Sequence, residues 1–303
     1  MKKKLLLKNF LITIILASPS FVSSQNANHT INIGGINLKA DEQIVLENAD
    51  LGVYYQFTQI ATENEKPVKI TDTLLLAIGN SQSIFLDPYY KTNLRKAAKA
   101  RRERSLKTRL VNTEHEYLDE VLELVDATSD YQEESLGEPV QIYKNRDKGV
   151  VNSVYNSFVE NFVTEQKTDE INNWEIINET DTVFNYPCQK AKTNYAGRTY
   201  TAWFTMDIPI NDGPWKFGYL PGLILKVTDD ENLFQFLAIG LEQYEGNRKI
   251  AKDNVKYEKA SLRNFNDYVD KEKSKSMVTF YSGGYLYMTH KKSPIKFNNM
   301  EKL

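Results

Sequence analysis

Ten consecutive residues, Thr199 to Ile208, alternate without a break: Tyr200, Ala202, Phe204, Met206 and Ile208 fall on one side, and Thr199, Thr201, Trp203, Thr205 and Asp207 on the other. Side chains of an extended chain point to opposite faces at every step, so this pattern is a β-strand with one face shielded. Slipping its register by one residue would put all five apolar side chains into water, so the strand's pairing is strongly specified. Pro209 ends the run, and Asn211-Asp212-Gly213-Pro214 supplies turn chemistry. Phe217 to Leu220 then reads as a short strand and Pro221-Gly222 as the centre of a type II turn with Gly222 left-handed. Leu223 to Val227 leads out of it.

The same period of two recurs elsewhere. Val53, Tyr55 and Phe57 alternate with Tyr54, Gln56 and Thr58, and Leu74 to Ile78 and Ser83 to Leu86 flank a hairpin signal at Gly79-Asn80. Further strands are predicted over Val140 to Tyr143, Gly149 to Tyr155, Phe158 to Thr164, Trp174 to Ile177 and Thr182 to Tyr186. Leu233 to Leu241, apolar on both faces except at Gln235, reads as a central strand. Val278 to Tyr281 and Tyr285 to Met288 read as a hairpin around Gly283-Gly284. Strands this close together, with polar turns between them, favour an antiparallel sheet over βαβ units.

Two segments read as helical. From about 90 to 132 Gly and Pro are all but absent, and a basic block from Arg95 to Arg109 precedes an acidic block from Glu114 to Asp126, as in a charged helical insertion with a solvated face. Leu262, Phe265 and Val269 share one helical face behind Ser261, a candidate N-cap. The expected fold is therefore mainly β (α+β), a curved antiparallel sheet or half-open barrel with that insertion and a C-terminal helix.

Lys2, Lys3 and Lys4 precede an apolar stretch from Leu5 to Ala17, with small residues at Ser18, Ser20, Ser23 and Ser24, the order of a secretory signal peptide cleaved near Ser24/Gln25. Residues 1–24 are assigned to the signal and 25–303 to one β-rich domain, placed in the periplasm or outside the cell, with no transmembrane segment after cleavage. Removal of Lys2, Lys3, Lys4 and Lys8 moves the net charge from −2 to about −6. That balance gives no pull toward nucleic acid.

The inventory for chemistry is short. His29, His115 and His290 occur without HExxH or paired Cys, so no metal site and no cofactor is expected. No G-x-S-x-G or phosphate-binding Gly motif is present. Cys188, the single cysteine, is either a buried small apolar side chain or a reactive thiol.

Tyr186, Cys188, Lys190 and Ala191, then Gly197-Arg198, Ala202-Trp203, Asp207-Ile208-Pro209, Gly213-Pro214 and Leu220-Pro221-Gly222-Leu223-Ile224 together resemble the GLPGLI family of Bacteroidota envelope proteins. The resemblance covers roughly 186 to 227 and departs at Tyr219, where that family has Gly. If that position is left-handed, Gly218 would have to supply the freedom one residue earlier. The resemblance implies an envelope compartment and a β fold similar to the half-open sheets of periplasmic lipid-carrier proteins. It implies no activity.

Three readings follow. The first is a non-enzymatic binding module whose concave face receives a hydrophobic small molecule or a peptide, with Trp203, Trp215, Tyr219 and Leu220 as contact residues and Leu220, Pro221, Gly222, Leu223 and Ile224 as a structural turn. The second is an envelope protein that docks on an outer-membrane partner through the charged helices, and the third an uncharacterised hydrolase.

Overall fold

The computed structural model describes residues 43–93, 137–156, 161–273, 275–282, 285–292 and 295–302. The signal segment, the lead-in to residue 42 with His29, and the insertion from 94 onward with His115 lie outside the described residues. Only the start of that insertion, residues 90–93, falls within them, and it is helical. The chain divides into two compact units, Met1–Ala27 with Lys91–Leu136 and Lys275–Ser293, and Asn28–Tyr90 with Gly137–Ser274 and Pro294–Leu303. In the first unit, β13 (Lys275–Ser282) and β14 (Tyr285–Lys292) form the expected antiparallel hairpin, Ser282 opposite Tyr285 across Gly283-Gly284.

The second unit is one 13-stranded sheet. Its strands are β1 (Gln43–Glu63), β2 (Lys66–Ile78), β3 (Gln82–Leu86), β4 (Val140–Asn145), β5 (Val150–Asn156), β6 (Asn161–Lys167), β7 (Glu175–Val183), β8 (Tyr186–Tyr195), β9 (Arg198–Thr205), β10 (Leu223–Asp229), β11 (Phe234–Asp253), β12 (Glu258–Lys259) and β15 (Ile295–Lys296). The order is β12-β6-β5-β4-β3-β2-β1-β11-β10-β9-β8-β7, with β15 on β1, and every pair is antiparallel except β12 with β6. This is the expected mainly β, curved and unclosed sheet. Strand β11 lies between β1 and β10, in the central position its two-sided apolar run predicts.

One apolar core gathers residues from almost the whole sheet. Val53, Tyr55 and Phe57 of β1 pack with Leu74 and Leu76 of β2, Phe204 of β9, Val227 of β10 and Phe236 of β11. The Phe57 and Phe236 rings stack with centroids 4.7 Å apart, a gain beyond their burial. Near opposite ends of the strand order, Gln166 of β6 donates to the hydroxyl of Tyr195 on β8 at 2.7 Å, so the sheet curls around its contents.

The hairpin turns are set by backbone conformation more than by glycine. Asn64-Glu65, Phe184-Asn185 and Ala196-Gly197 each have two successive positive φ angles, the requirement of a two-residue type I′ turn. The turn at Phe184-Asn185 corrects the expected strand over Thr182 to Tyr186. A single strand, β7, runs from Glu175 to Val183, and the next, β8, begins at Tyr186. The base of the insertion is held by Asp87, which accepts backbone N–H groups of Tyr89 at 2.7 Å, Tyr90 at 3.2 Å and Glu138 at 3.0 Å.

Helix α1 (Thr168–Ile171) follows β6, and α2 (Leu262–Lys273) is the expected C-terminal helix. Phe265 and Val269 of α2 are buried, and the Ser261 hydroxyl accepts the N–H of Asn264 at 3.3 Å, the expected cap.

Candidate functional site

Strand β9 ends at Thr205, four residues before Pro209, and Met206 is 61% exposed, so the shielded face holds Tyr200, Ala202 and Phe204 but not Met206. From Met206 to Gly222 the chain forms no strand beyond one isolated bridge between Asp212 and Gly218. The short strand expected at Phe217 to Leu220 is absent, and the tight turn is Pro214 to Phe217, closed by the Phe217 N–H on the Pro214 carbonyl at 3.0 Å. This segment is a plug. Asp212, Gly213, Pro214, Lys216, Phe217, Gly218 and Leu220 are all buried, so the concave side of the sheet is filled by the protein's own chain.

The turn motif performs differently from its expectation. Leu220, Leu223 and Ile224 are buried as predicted. Gly222 is not left-handed; its place requires the absence of a side chain, because a Cβ there would lie 2.0 Å from the Thr205 carbonyl oxygen. The left-handed residue is Tyr219 itself, at φ 63°, with Trp215 at φ 53°, and Gly218 supplies no compensating positive φ.

The plug is pinned by buried charge. Lys144 of β4, 2% exposed, donates to the carbonyls of Gly213 at 2.6 Å and Phe217 at 2.9 Å and pairs with Asp212. Arg146 pairs with the other Asp212 oxygen at 2.8 Å and donates to the carbonyls of Gly79 and Asn80. Burial lowers the Lys144 ammonium pKa, and Asp212 opposes that shift. At the other end, Lys216 lies 2.6 Å from Glu301 and 2.7 Å from the Gln166 amide oxygen, with Glu301 also bonded by Tyr195 and Asn266. Burial likewise lowers the Lys216 pKa against the pull of Glu301. A third buried cation, Arg198, reaches Asp229 at 3.1 Å and Glu231 at 2.6 Å. Each of these charges has its counter-ion and its hydrogen bonds; those of Lys144, Arg146, Asp212, Lys216 and Glu301 fix the plug, while Arg198 ties β9 to Asp229, Glu231 and the Asn299 carbonyl. The sequence reading named only Arg198, in the family-like motif, and Asp212, in a turn, and neither as a buried ion-pair partner; the available signal for Lys144 was its strand parity with the inward Ile142.

Two shallow clefts open at the rim. One of about 280 Å³ is lined by Asp50, Asn80, Arg146 and Asn211 among others, and one of about 300 Å³ by Asn194, Arg198, Thr199 and Asp230.

The four expected contact residues do not share a surface. Leu220 is 2% exposed in the core. Trp215 is half-buried against Tyr195, Tyr200 and Phe217, with ring centroids 5.8, 6.1 and 5.1 Å away. Tyr219 is half-buried on the plug. Trp203 lies on the opposite, outer face of the sheet. Its cross-strand neighbours there are Lys190 on β8 and Lys226 on β10, and beyond them Ile177 on β7 and Leu237 on β11. The Lys190 ammonium sits 5.6 Å from the Trp203 ring centroid and 2.7 Å from Glu179. In the adjoining row Thr201 and Thr228 lie opposite one another, with Lys192 beside Thr201.

Cys188 is buried, and burial pushes its thiol up to about 11, the opposite of an activated nucleophile. Among the described residues no three His, Cys, Asp or Glu side chains form a group able to hold a metal ion, and no helix is long and apolar enough to cross a membrane.

Comparison with known proteins corrects the family resemblance. The family model that matches is the one described as N-glycanase peptide, N-terminal domain, over residues 128–270, just under half of the chain. The residues similar to the GLPGLI family lie inside that stretch, and no GLPGLI match accompanies them. Burial, close packing and strand alternation account for many of these residues, among them Ala191, Ala202, Leu220, Gly222, Leu223 and Ile224, so a short motif of this kind does not identify a family. Two solved structures of PNGF-II, in P21 and C2 space groups, share 13% identity with the chain over 77% and 76% of its length, with TM-scores of 0.47 and 0.44. The chain spans about a third, 35%, of their length. No curated protein matches.

Proposed function

We propose that this chain is a secreted, non-enzymatic module that binds glycans, and that its ligand lies on the outer face of β8 to β10 around Trp203. The observation that carries the reading is the match of residues 128–270 to a domain described as the N-terminal domain of an N-glycanase. The geometry supports it in two ways. The plug occupies the concave side, where a hydrophobic cargo would have to sit, and ties its ionisable groups into buried pairs. The outer face, by contrast, carries a half-buried indole that packs at its base against the core, on a rigid sheet with the Thr201 and Thr228 hydroxyls beside it. An indole face takes the C–H edges of a sugar ring, while hydroxyls and ammonium groups take its polar rim.

The test is affinity electrophoresis and calorimetry against a glycoprotein and the same protein stripped of its N-linked glycans. Retention by the glycosylated form alone, lost in Trp203→Ala with an unchanged circular dichroism spectrum, is the expected result. Equal retention of both forms would overturn the reading, and release of free glycan from a glycopeptide would replace it with a hydrolase.

A further inference from the structure

We infer that the Trp203 face selects acidic glycans, those carrying a carboxylate, sulfate or phosphate; this rests on the glycan-binding reading and deepens it. Adjacent strands lie about 4.8 Å apart, so Lys190 and Lys226, one strand to either side of Trp203, stand about 10 Å apart at the backbone. That span accommodates a sugar ring on the indole with its acidic substituent against one ammonium. Lys192 adds a third ammonium one row along, beside Thr201.

The charge of this patch runs against that of the chain, whose net is −2. The neighbouring carboxylates are Glu175, Glu179 and Asp181 on the edge strand β7 and Asp207 just after β9, the last two close enough to act on Cys188. Glu175 lies opposite Lys192, and Glu179 pairs with Lys190 at 2.7 Å while its own side chain is 56% exposed. The carboxylate side of this pair is open to water while the Lys190 side chain is 17% exposed, so an acidic ligand reaches Lys190 by displacing Glu179 into solvent. Lys226, in the middle of the sheet, forms no ion pair among the described residues. A ligand acid would give it the charge-assisted hydrogen bond it otherwise makes only with water.

The experiment titrates the full chain with two forms of one complex N-glycopeptide, its terminal acidic sugars present or enzymatically removed, plus a sulfated neutral glycopeptide that separates sulfate from carboxylate recognition. The expected result is at least tenfold tighter binding of an acidic form in low salt, with the preference shrinking as salt rises. Lys226→Gln and Lys192→Gln should each weaken the acidic forms several-fold more than the neutral form, shrinking that preference, and Trp203→Ala should abolish binding of all forms. Equal affinity for acidic and neutral forms, or a preference unchanged in both lysine variants, overturns the inference while the glycan reading stands. Binding of polyglutamate as tight as that of the acidic glycan also overturns it, as plain ion exchange. Binding of no glycan form overturns the glycan reading itself.

Discussion

Lys216 and Lys226, ten residues apart, are the same side chain in opposite settings. Lys216 is buried in the plug, held by Glu301 and Gln166 with the Trp215 ring 5.1 Å from its ammonium. Lys226 is half-buried on the outer face beside Trp203 and forms no ion pair among the described residues. The concave side of this sheet therefore spends its polar groups on holding the chain in place, and the convex side keeps them available. Substitutions in the plug should register as lost stability. Those on the outer face should register as lost binding.

The largest effect is expected at Asp212, which is 1% exposed and answers both Lys144 and Arg146. Asp212→Ala strands two cations in the interior, at a cost of about 3–5 kcal/mol by urea denaturation. A loss near zero would mean that the plug is not pinned by charge. Next is Gly222→Ala. The added methyl meets the Thr205 carbonyl, a backbone atom that cannot swing aside, and overpacking of this kind costs about 1–3 kcal/mol. Were the residue needed for a left-handed turn instead, Gly222→Asn would be better tolerated than Gly222→Ala. Close packing predicts the reverse order, because Asn is the larger.

Trp203→Ala sharpens the contrast from the other side. With a half-buried indole lost from a sheet face, the stability change should be about 1–2 kcal/mol, below that of Asp212→Ala, while affinity for a glycan falls at least tenfold. A stability loss as large as that of Asp212→Ala would place Trp203 with the plug rather than with the binding face.

The same division explains what the sequence made legible. Alternation exposes a strand when its inward residues are apolar, as with Tyr200, Ala202 and Phe204; it also set Trp203 on the opposite face from these, although the expected contact set had Trp203 on the concave side. It misses β8, where Ala191 and Thr193, small or polar, precede Tyr195 on the inward row and the buried Cys188 falls on the other parity, so that no clean alternation results. The turn at Phe184-Asn185 carries no glycine, so nothing local marks it. The role of Gly222 depends on Thr205 across a strand, and the partnership of Lys144 with Asp212 joins positions far apart in the chain. Contacts of that kind follow from register and from the path of the plug, neither of which a local pattern contains.

The smallest predicted effect concerns a carboxylate outside both regions. Asp72 lies on β2 opposite Phe57, and burial, reinforced by the charges of Asp87 and Glu138 and opposed by Lys273, raises its pKa to about 6. Because the folded value lies above the unfolded one, the native state holds an extra proton between about pH 4 and pH 6. Its contribution to stability is then complete below about pH 4 and lost as the pH rises through 6. Asparagine imitates the protonated carboxyl at every pH. The melting temperature of Asp72→Asn should therefore equal that of the parent near pH 4 and exceed it by a couple of degrees, on the order of 2 °C, at pH 8. A difference independent of pH would show that the substitution acts through packing against Phe57 and not through the charge. A difference that shrinks as the pH rises would mean that Lys273, rather than burial, dominates the site.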